Sequence, residues 1–226
     1  TMFLSLSGSL TGTLNQLVSL VPTAISLTTS AGRLMDILGM PKEDYSDAEH
    51  AEKFYEENRE NGISLCISKM SYTYHNGTKV FMRADFEAHP HEIVALVGPS
   101  GEGKTTLLRI MLALLHIQSG DEDLVGAKTG EVLTITPAAR RLFSYVPQGN
   151  TMFSGTIAEN MRNVRPDATD EEIKEVLIVS CAWEFVQKLP DGIYSKVGER
   201  GVGFSEGQAQ RLSIARALLR RAPILL

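Results

Sequence analysis

Apolar residues recur at helical spacing within an uncharged stretch that opens the chain. Residues 1–32 carry no charged side chain. Because about 20 apolar residues cross the hydrocarbon of a bilayer, a run of this length is a candidate membrane span. Its Ser, Thr, Asn and Gln side chains fit a helix packed against other helices, and an amphipathic helix of a soluble bundle remains an equal alternative on this segment alone. The helical spacing is carried by Leu10, Leu14, Leu17, Val21 and Ile25.

The next stretch, residues 41–61, is dense in acidic side chains. Such a segment predicts a solvated connector, partly helical, that acts only as a spacer. Arg33 and Lys42 are the first basic residues after the uncharged run. Positive charge just beyond a span favours the cytoplasm for the residues on that side of it.

From Ile63 onward, strand patterns alternate with helical patterns. Ile63, Leu65 and Ile67 alternate with polar residues, which predicts a strand. Asn76-Gly77 is a turn dipeptide, and Glu92–Val97 has the pattern of a short buried strand. This alternation predicts an α/β fold with parallel strands. Further along we predict helices over 105–116, 167–186 and 205–221, a strand over 143–146, and a last strand after Pro223.

Composition narrows the classes of function. With 43% hydrophobic residues, the chain can form a packed core. Its net charge of -5 argues against electrostatic binding of nucleic acid. Cys66 and Cys181 lie far apart without the spacing of metal ligands, so we interpret them as small buried apolar residues in a reducing compartment.

The strongest chemical signal is a glycine-rich loop between a predicted strand and a predicted helix. The stretch Gly98–Thr105 reads GPSGEGKT and fits the pattern G-x-x-x-x-G-K-[ST]. Its glycines allow a tight turn that brings backbone N–H groups against phosphate oxygens. Lys104 would place its charge on the β- and γ-phosphates, and the Thr105 hydroxyl would bind Mg²⁺. Glu102 should point to solvent, and we assign it no role.

A second segment narrows the class of nucleotide-binding protein. Ser205, Gly207 and Gln208 stand within FSEGQ, followed by Ala-Gln-Arg. This resembles the LSGGQ signature of the ABC transporter family, specifically exporters with fused membrane and ATPase domains. The sequence departs from the signature at Phe204 and Glu206. In the family, the segment opens a helix that binds the γ-phosphate of ATP held by the opposite ATPase domain. Glu206 near that terminus would either cap the helix electrostatically or repel the phosphate.

Three further motifs support the resemblance. Val146–Asn150 resembles the family's Q-loop, whose glutamine, here Gln148, reaches the metal and the attacking water. Val197–Gly201 resembles an exporter motif that contacts the coupling helices of the membrane domain. In the stretch MSYTY, Tyr74 matches the aromatic residue that stacks on adenine, and Tyr72 is its neighbour in the strand.

The resemblance implies an α/β P-loop NTPase fold, an incomplete ABC ATPase domain preceded by part of a transmembrane helix. It implies ATP and Mg²⁺ as cofactors, Lys104 and Gln148 as catalytic residues, and Thr105 and Gln148 as metal ligands. The nucleotide-binding set it implies is Tyr74, Gly98, Pro99, Ser100, Gly101, Glu102, Gly103, Lys104, Thr105, Thr106, Gln148, Ser205, Gly207 and Gln208.

The same resemblance divides the chain into three parts. Residues 1–40 would be the end of the transmembrane domain, 41–61 the acidic linker, and 62–226 the ATPase domain. Arg221–Leu226 resembles the approach to the Walker B strand, which would place the acidic catalytic residues beyond the end of the chain. We therefore expect these 226 residues alone to be aggregation-prone and without ATPase activity.

The partners implied are a second ABC ATPase domain, identical or different, and the coupling helices of a transmembrane domain, with no nucleic acid. The implied location is the plasma membrane, with the ATPase domain in the cytoplasm. A soluble ABC ATPase acting on DNA is the first alternative; the uncharged first helix and the 198–201 motif argue against it. A metabolite or nucleotide kinase is the second, and the segment Ser205–Gln208 argues against it.

Overall fold

The computed structural model describes residues 2–149, 151–198 and 203–226, and within the first helix it leaves out the side chains of residues 4–6 and 17. The chain forms two units, Thr1–Glu43 and Asp44–Leu226. The predictions made for Asn150, for Glu199–Gly201 and for the side chain of Leu17 fall outside the described residues.

The first unit is a single helix, α1, over Met2–Leu38. The helix predicted from the spacing of the apolar residues is thus confirmed, and it continues through Pro22. Hydroxyl side chains bond back to its carbonyls, as in Thr11 Oγ1 to Ser7 O at 2.8 Å. Its polar content lowers its mean hydropathy, and among the described residues no helix is both long and apolar enough to cross a membrane.

Helix α2, Ala48–Asn58, corrects the interpretation of the acidic stretch as a spacer. Ala51 and Phe54 are fully buried in the core of the second unit. The buried Asn58 amide donates to Phe54 O at 3.0 Å, and its Oδ1 accepts from Thr129 at 2.9 Å. The buried positions recur at helical spacing, but the acidic residues that fill the solvent face gave the segment the composition of a solvated connector.

A four-stranded sheet forms the centre of the second unit. Strands β1 (Ile63–Thr73), β2 (Lys79–Ala88), β3 (Ser119–Gly126) and β4 (Val132–Thr134) lie in the order β2-β1-β3-β4. The alternation that begins at Ile63 and the turn at Asn76-Gly77 are confirmed. All three pairings are antiparallel, which differs from the parallel sheet we predicted. Period-two alternation identifies a strand but not the direction of its neighbour.

Parallel pairing within the described ranges is limited to β5 (Phe143–Ser144) and β8 (Ile224–Leu225). The strand predicted over 143–146 is therefore present but shorter. Strands β6 (Gly155–Thr156) and β7 (Lys196–Val197) form a separate antiparallel pair.

The predicted buried strand at Glu92–Val97 is wrong. In the structure these residues form no strand, and Ile93 and Val97 are 98% and 92% exposed. Only Leu96 packs against the core, and it is partly buried. A strand needs a hydrogen-bonded neighbour, and none of the described strands pairs with this segment.

Helices dominate the second half of the unit. They are α4 (Ile157–Arg162), α5 (Asp170–Val179), α6 (Trp183–Val186) and α7 (Glu206–Leu219). The helix predicted over 167–186 is divided into α5 and α6, with Cys181 in the left-handed region between them at φ +56°. Cys181 is exposed and Cys66 only partly buried, so the predicted burial of both cysteines is wrong. These helices enclose a second apolar cluster, which includes Ile157, Met161, Ile173, Leu177 and Leu212.

Glu122 on β3 gives the fold a pH dependence. Its side chain is buried, and its Oε2 has no hydrogen-bond partner among the described residues. Burial, with a smaller effect of Asp123, raises the pKa of Glu122 to about 7. Because the folded chain keeps this proton to higher pH than the unfolded chain, the carboxyl lowers stability as pH rises from about 4 to about 7.

We therefore expect Glu122→Gln to raise the free energy of unfolding at pH 8 by about 1–2 kcal/mol and to change it little at pH 4. Urea unfolding at both pH values would measure the difference. Asp121→Asn, which neutralises an exposed carboxyl on the same strand, is the matched control and should show no such gain. Equal stability of Glu122→Gln and the wild type at pH 8 would contradict the assignment.

Candidate functional site

The glycine-rich loop is shaped by the strand behind it. Gly101 and Gly103 adopt left-handed conformations with φ of +92° and +89°, which residues other than glycine rarely adopt. A Cβ at Gly103 would lie 2.5 Å from Val80 Cγ1 and 3.0 Å from Phe81 Cζ. The loop therefore packs directly on β2, and Gly103 passes the chain straight into α3 (Lys104–Met111). Helix α3 is shorter than the predicted 105–116.

Lys104 lies at the first position of α3. Its Nζ donates to the carbonyl oxygens of Gly98 at 2.7 Å and Pro99 at 2.5 Å, so that the ammonium group lies across the mouth of the loop. Ser100 is exposed beside it. Glu102 is exposed, as predicted. Its carboxylate nevertheless lies close to Gly98: a Cβ built on Gly98 would be 3.4 Å from Glu102 Oε2.

Two adjacent threonines on α3 face different surroundings. Thr105 is exposed and lines a pocket of about 570 Å³. Thr106 is buried, and its Oγ1 lies 2.9 Å from Tyr74 Oη. Thr105 is thus the threonine whose hydroxyl is open to a ligand, while Thr106 fixes the tyrosine beside the helix.

The two tyrosines of β1 and its turn also differ. Tyr72 is 6% exposed and belongs to the core. Tyr74 is partly exposed and meets the Tyr72 ring edge-on, with centroids 5.1 Å apart. Its bond to Thr106 places it beside the start of α3. The assignment of Tyr74 to adenine stays a prediction.

The pocket also brings in residues from two other segments. Gln148, exposed after strand β5, lines it together with Thr105. Gly207, in the first turn of α7, lines it as well, and a Cβ there would meet nothing within 4 Å. Residues of three predicted motifs, far apart in sequence, therefore face one cavity.

A capping box builds the N-terminus of α7. Ser205 Oγ accepts from the backbone N–H of Gln208 at 3.2 Å, and the Gln208 side chain accepts from the backbone N–H of Ser205 at 2.9 Å. The predicted helix start is confirmed. The Gln208 side chain is engaged in the cap, while the Ser205 hydroxyl keeps its own hydrogen available to donate. Glu206 is exposed and also lines the pocket.

The sequence did not predict some of the residues that line the pocket, and it did not show that the predicted ones share a single pocket. Leu108 and Gln210 line it, three residues after Thr105 and Gly207 on their helices. That spacing was a usable signal, because residues i and i+3 share a helix face. Among the predicted residues, Thr105, Gln148 and Gly207 share this pocket, whereas Tyr74, Gly98, Lys104, Ser205 and Gln208 are not among its lining residues.

Comparisons with known proteins agree with these motifs. The sequence profile of the ABC transporter family matches residues 81–226. The iron-sulfur clusters transporter ATM1, mitochondrial, of Debaryomyces hansenii is 38% identical over 71% of this chain and 23% of its own length. The multidrug resistance ABC transporter ATP-binding and permease protein of Lactococcus lactis is 32% identical over 94% of this chain and 36% of its own length.

The chain is also similar to a solved structure of an ABC exporter. A bacterial Atm1-family ABC exporter with ATP bound aligns with a TM-score of 0.66 at 30% identity, over 73% of this chain and 28% of that one. The chain therefore spans about a quarter to a third of the length of these proteins.

The two tyrosines give a matched pair of variants. Tyr74→Ala should weaken ATP binding by about 1–3 kcal/mol, the range for stacking of a base on an aromatic ring. Tyr72→Ala should instead lower the thermal midpoint of unfolding, because it empties a buried position. Titration with a fluorescent ATP analogue and thermal unfolding of both variants would measure the two effects. The reverse outcome, with affinity lost at Tyr72 and stability lost at Tyr74, would shift the assignment by two residues.

Proposed function

Because this chain belongs to the ABC transporter family, we propose that it is the ATP-binding and hydrolysing part of an ABC exporter. The exporter would use ATP binding between two ATPase domains to drive its membrane helices, and hydrolysis to reset them. The observation that carries this proposal is the pocket that Thr105 and Gln148 share directly after the Lys104 loop.

The geometry supports phosphate binding by backbone and dipole. The N-cap of α3 is Gly103, and no side-chain cap occupies the N–H groups of the first turn, which are the groups of a helix that bind anions. Lys104 would exchange its two carbonyl partners for phosphate oxygens, which bind an ammonium group more strongly because they are charged. Pro99 and Ser100 complete the rim of this loop.

The same pocket suits Mg²⁺. The Thr105 hydroxyl and the Gln148 amide carbonyl are oxygen donors, the class that this ion prefers. No group of three His, Cys, Asp or Glu that could hold a metal occurs in the part of the chain that the structure describes. The remaining ligands would be phosphate oxygens and water, as is usual for Mg²⁺ in nucleotide sites. When bound, the ion would neutralise charge that develops on the transferred phosphoryl group.

The proposed partners are those typical of the same family. A second ABC ATPase domain, identical or different, would present its phosphate loop to the N-terminus of α7, where Ser205 and Gly207 lie exposed. Coupling helices of a transmembrane domain would transmit the motion, and residues 1–40 would be the end of that domain, part of its last helix with the cytoplasmic extension. The site of action would be the plasma membrane, with the ATPase domain in the cytoplasm. Export is preferred to action on DNA because the ATM1 and multidrug resistance relatives are transporters.

The decisive experiment is ATP hydrolysis by the complete protein. Lys104→Ala should lower Mg-dependent release of phosphate by at least about 100-fold, since it removes a charge that stabilises the transition state. Lys188→Ala, which removes an exposed lysine that does not line the pocket, is the matched control and should hydrolyse ATP like the wild type. Near-normal turnover by Lys104→Ala would overturn the proposed function.

A further inference from the structure

Arg216 on α7 binds the segment that comes after Gln148. Its guanidinium donates to Thr151 O at 3.0 Å and to Thr151 Oγ1 at 2.8 Å. The same hydroxyl lies 3.1 Å from Ser213 Oγ, one turn earlier on the helix. A residue three positions after Gln148 is therefore fixed to α7 through both its backbone and its side chain.

The segment is also fixed from its other side. Buried Asn160 accepts from Phe153 N at 2.8 Å and donates to Phe153 O at 2.9 Å. The Phe153 ring in turn lies against the Arg216 guanidinium, 5.7 Å from centroid to carbon. Thr151 and Phe153 are thus held between α4 and α7.

Charge pairing does not account for this arginine. Arg216 forms no ion pair with any described residue; its partners are a carbonyl, a hydroxyl and a ring. Burial without an acidic partner lowers the pKa of Arg216. An apolar side chain of similar volume would fill the position without that desolvation cost. The guanidinium group instead donates two hydrogen bonds from one plane to Thr151, and these fix the position of that residue.

Helix α7 meets the pocket at one end and this segment further along. Gly207 lines the pocket in the first turn, and Arg216 comes nine residues later, about 14 Å along the axis. We propose that Arg216 is a positioning residue for ATP hydrolysis: it fixes Thr151, three residues after Gln148, to α7 and thereby sets the position of Gln148 at the pocket. This inference rests on the proposed function.

The test is a double-mutant cycle on the complete protein. Arg216→Ala should lower kcat for ATP about tenfold or more, because small misplacements of a catalytic group are costly, while KM for ATP stays within about twofold. In a Gln148→Ala background the same change should have almost no further effect, since the group that it positions is gone. Arg216→Lys should retain only part of the wild-type kcat, because the lysine ammonium group lacks the planar pair of N–H donors of a guanidinium group.

Two more variants serve as controls. Arg220→Ala removes an arginine at the end of the same helix that makes one bond, at 3.3 Å to Arg140 O, and should leave kcat unchanged. Thr151→Val removes the side-chain acceptor alone and should reproduce part of the Arg216→Ala effect. Should Arg216→Ala fail to fold, as judged by thermal unfolding, Thr151→Val carries the same cycle with Gln148→Ala.

The outcomes separate the inference from the proposed function. An equal loss of kcat with and without Gln148, or a loss that matches the unfolded fraction, overturns the role of Arg216 and leaves the proposed function standing. Absence of ATP turnover in the wild type overturns the proposed function, and the inference falls with it. A loss of kcat that disappears in the Gln148→Ala background supports both.

Discussion

The contact between Gly103 and strand β2 is the constraint on which the candidate site depends. The glycine packs so closely on Val80 and Phe81 that a single methyl group would collide with both. Because it is also the N-cap of α3, this contact sets where the helix begins and where its unpaired N–H groups point. That start in turn sets the positions of Lys104 and Thr105.

Helix α7 is the second fixed element of the site. The capping box of Ser205 and Gln208 sets its first turn, and buried Leu212 and Ala215 anchor it in the second apolar cluster. A single rigid rod therefore presents Gly207 to the pocket and Arg216 to the segment after Gln148. The pocket is formed by two helix starts and one connecting segment, each fixed by packing outside the pocket itself.

Local features of the sequence were enough to predict the parts that local physics decides. The alternation at Ile63–Ile67, the turn at Asn76-Gly77 and the helix start at Ser205 each depend on neighbours a few residues away. The segment Glu92–Val97 was misread because its burial depends on strands elsewhere in the chain, and none of the described ones pairs with it. The contact between Arg216 and Thr151 spans 65 residues, and no pattern within one segment could have predicted it.

If the proposed function is right, the loop before α3 holds one nucleotide and the N-terminus of α7 contacts the nucleotide held by the opposite ATPase domain. Amide hydrogen exchange of the complete protein, with and without Mg-ATP, tests it most directly. The claim predicts slower exchange both at 98–106 and at 204–208 when nucleotide is bound, with strands β3 and β4 unchanged. Protection at 98–106 with none at 204–208, under conditions where ATP is bound and hydrolysed, would contradict it.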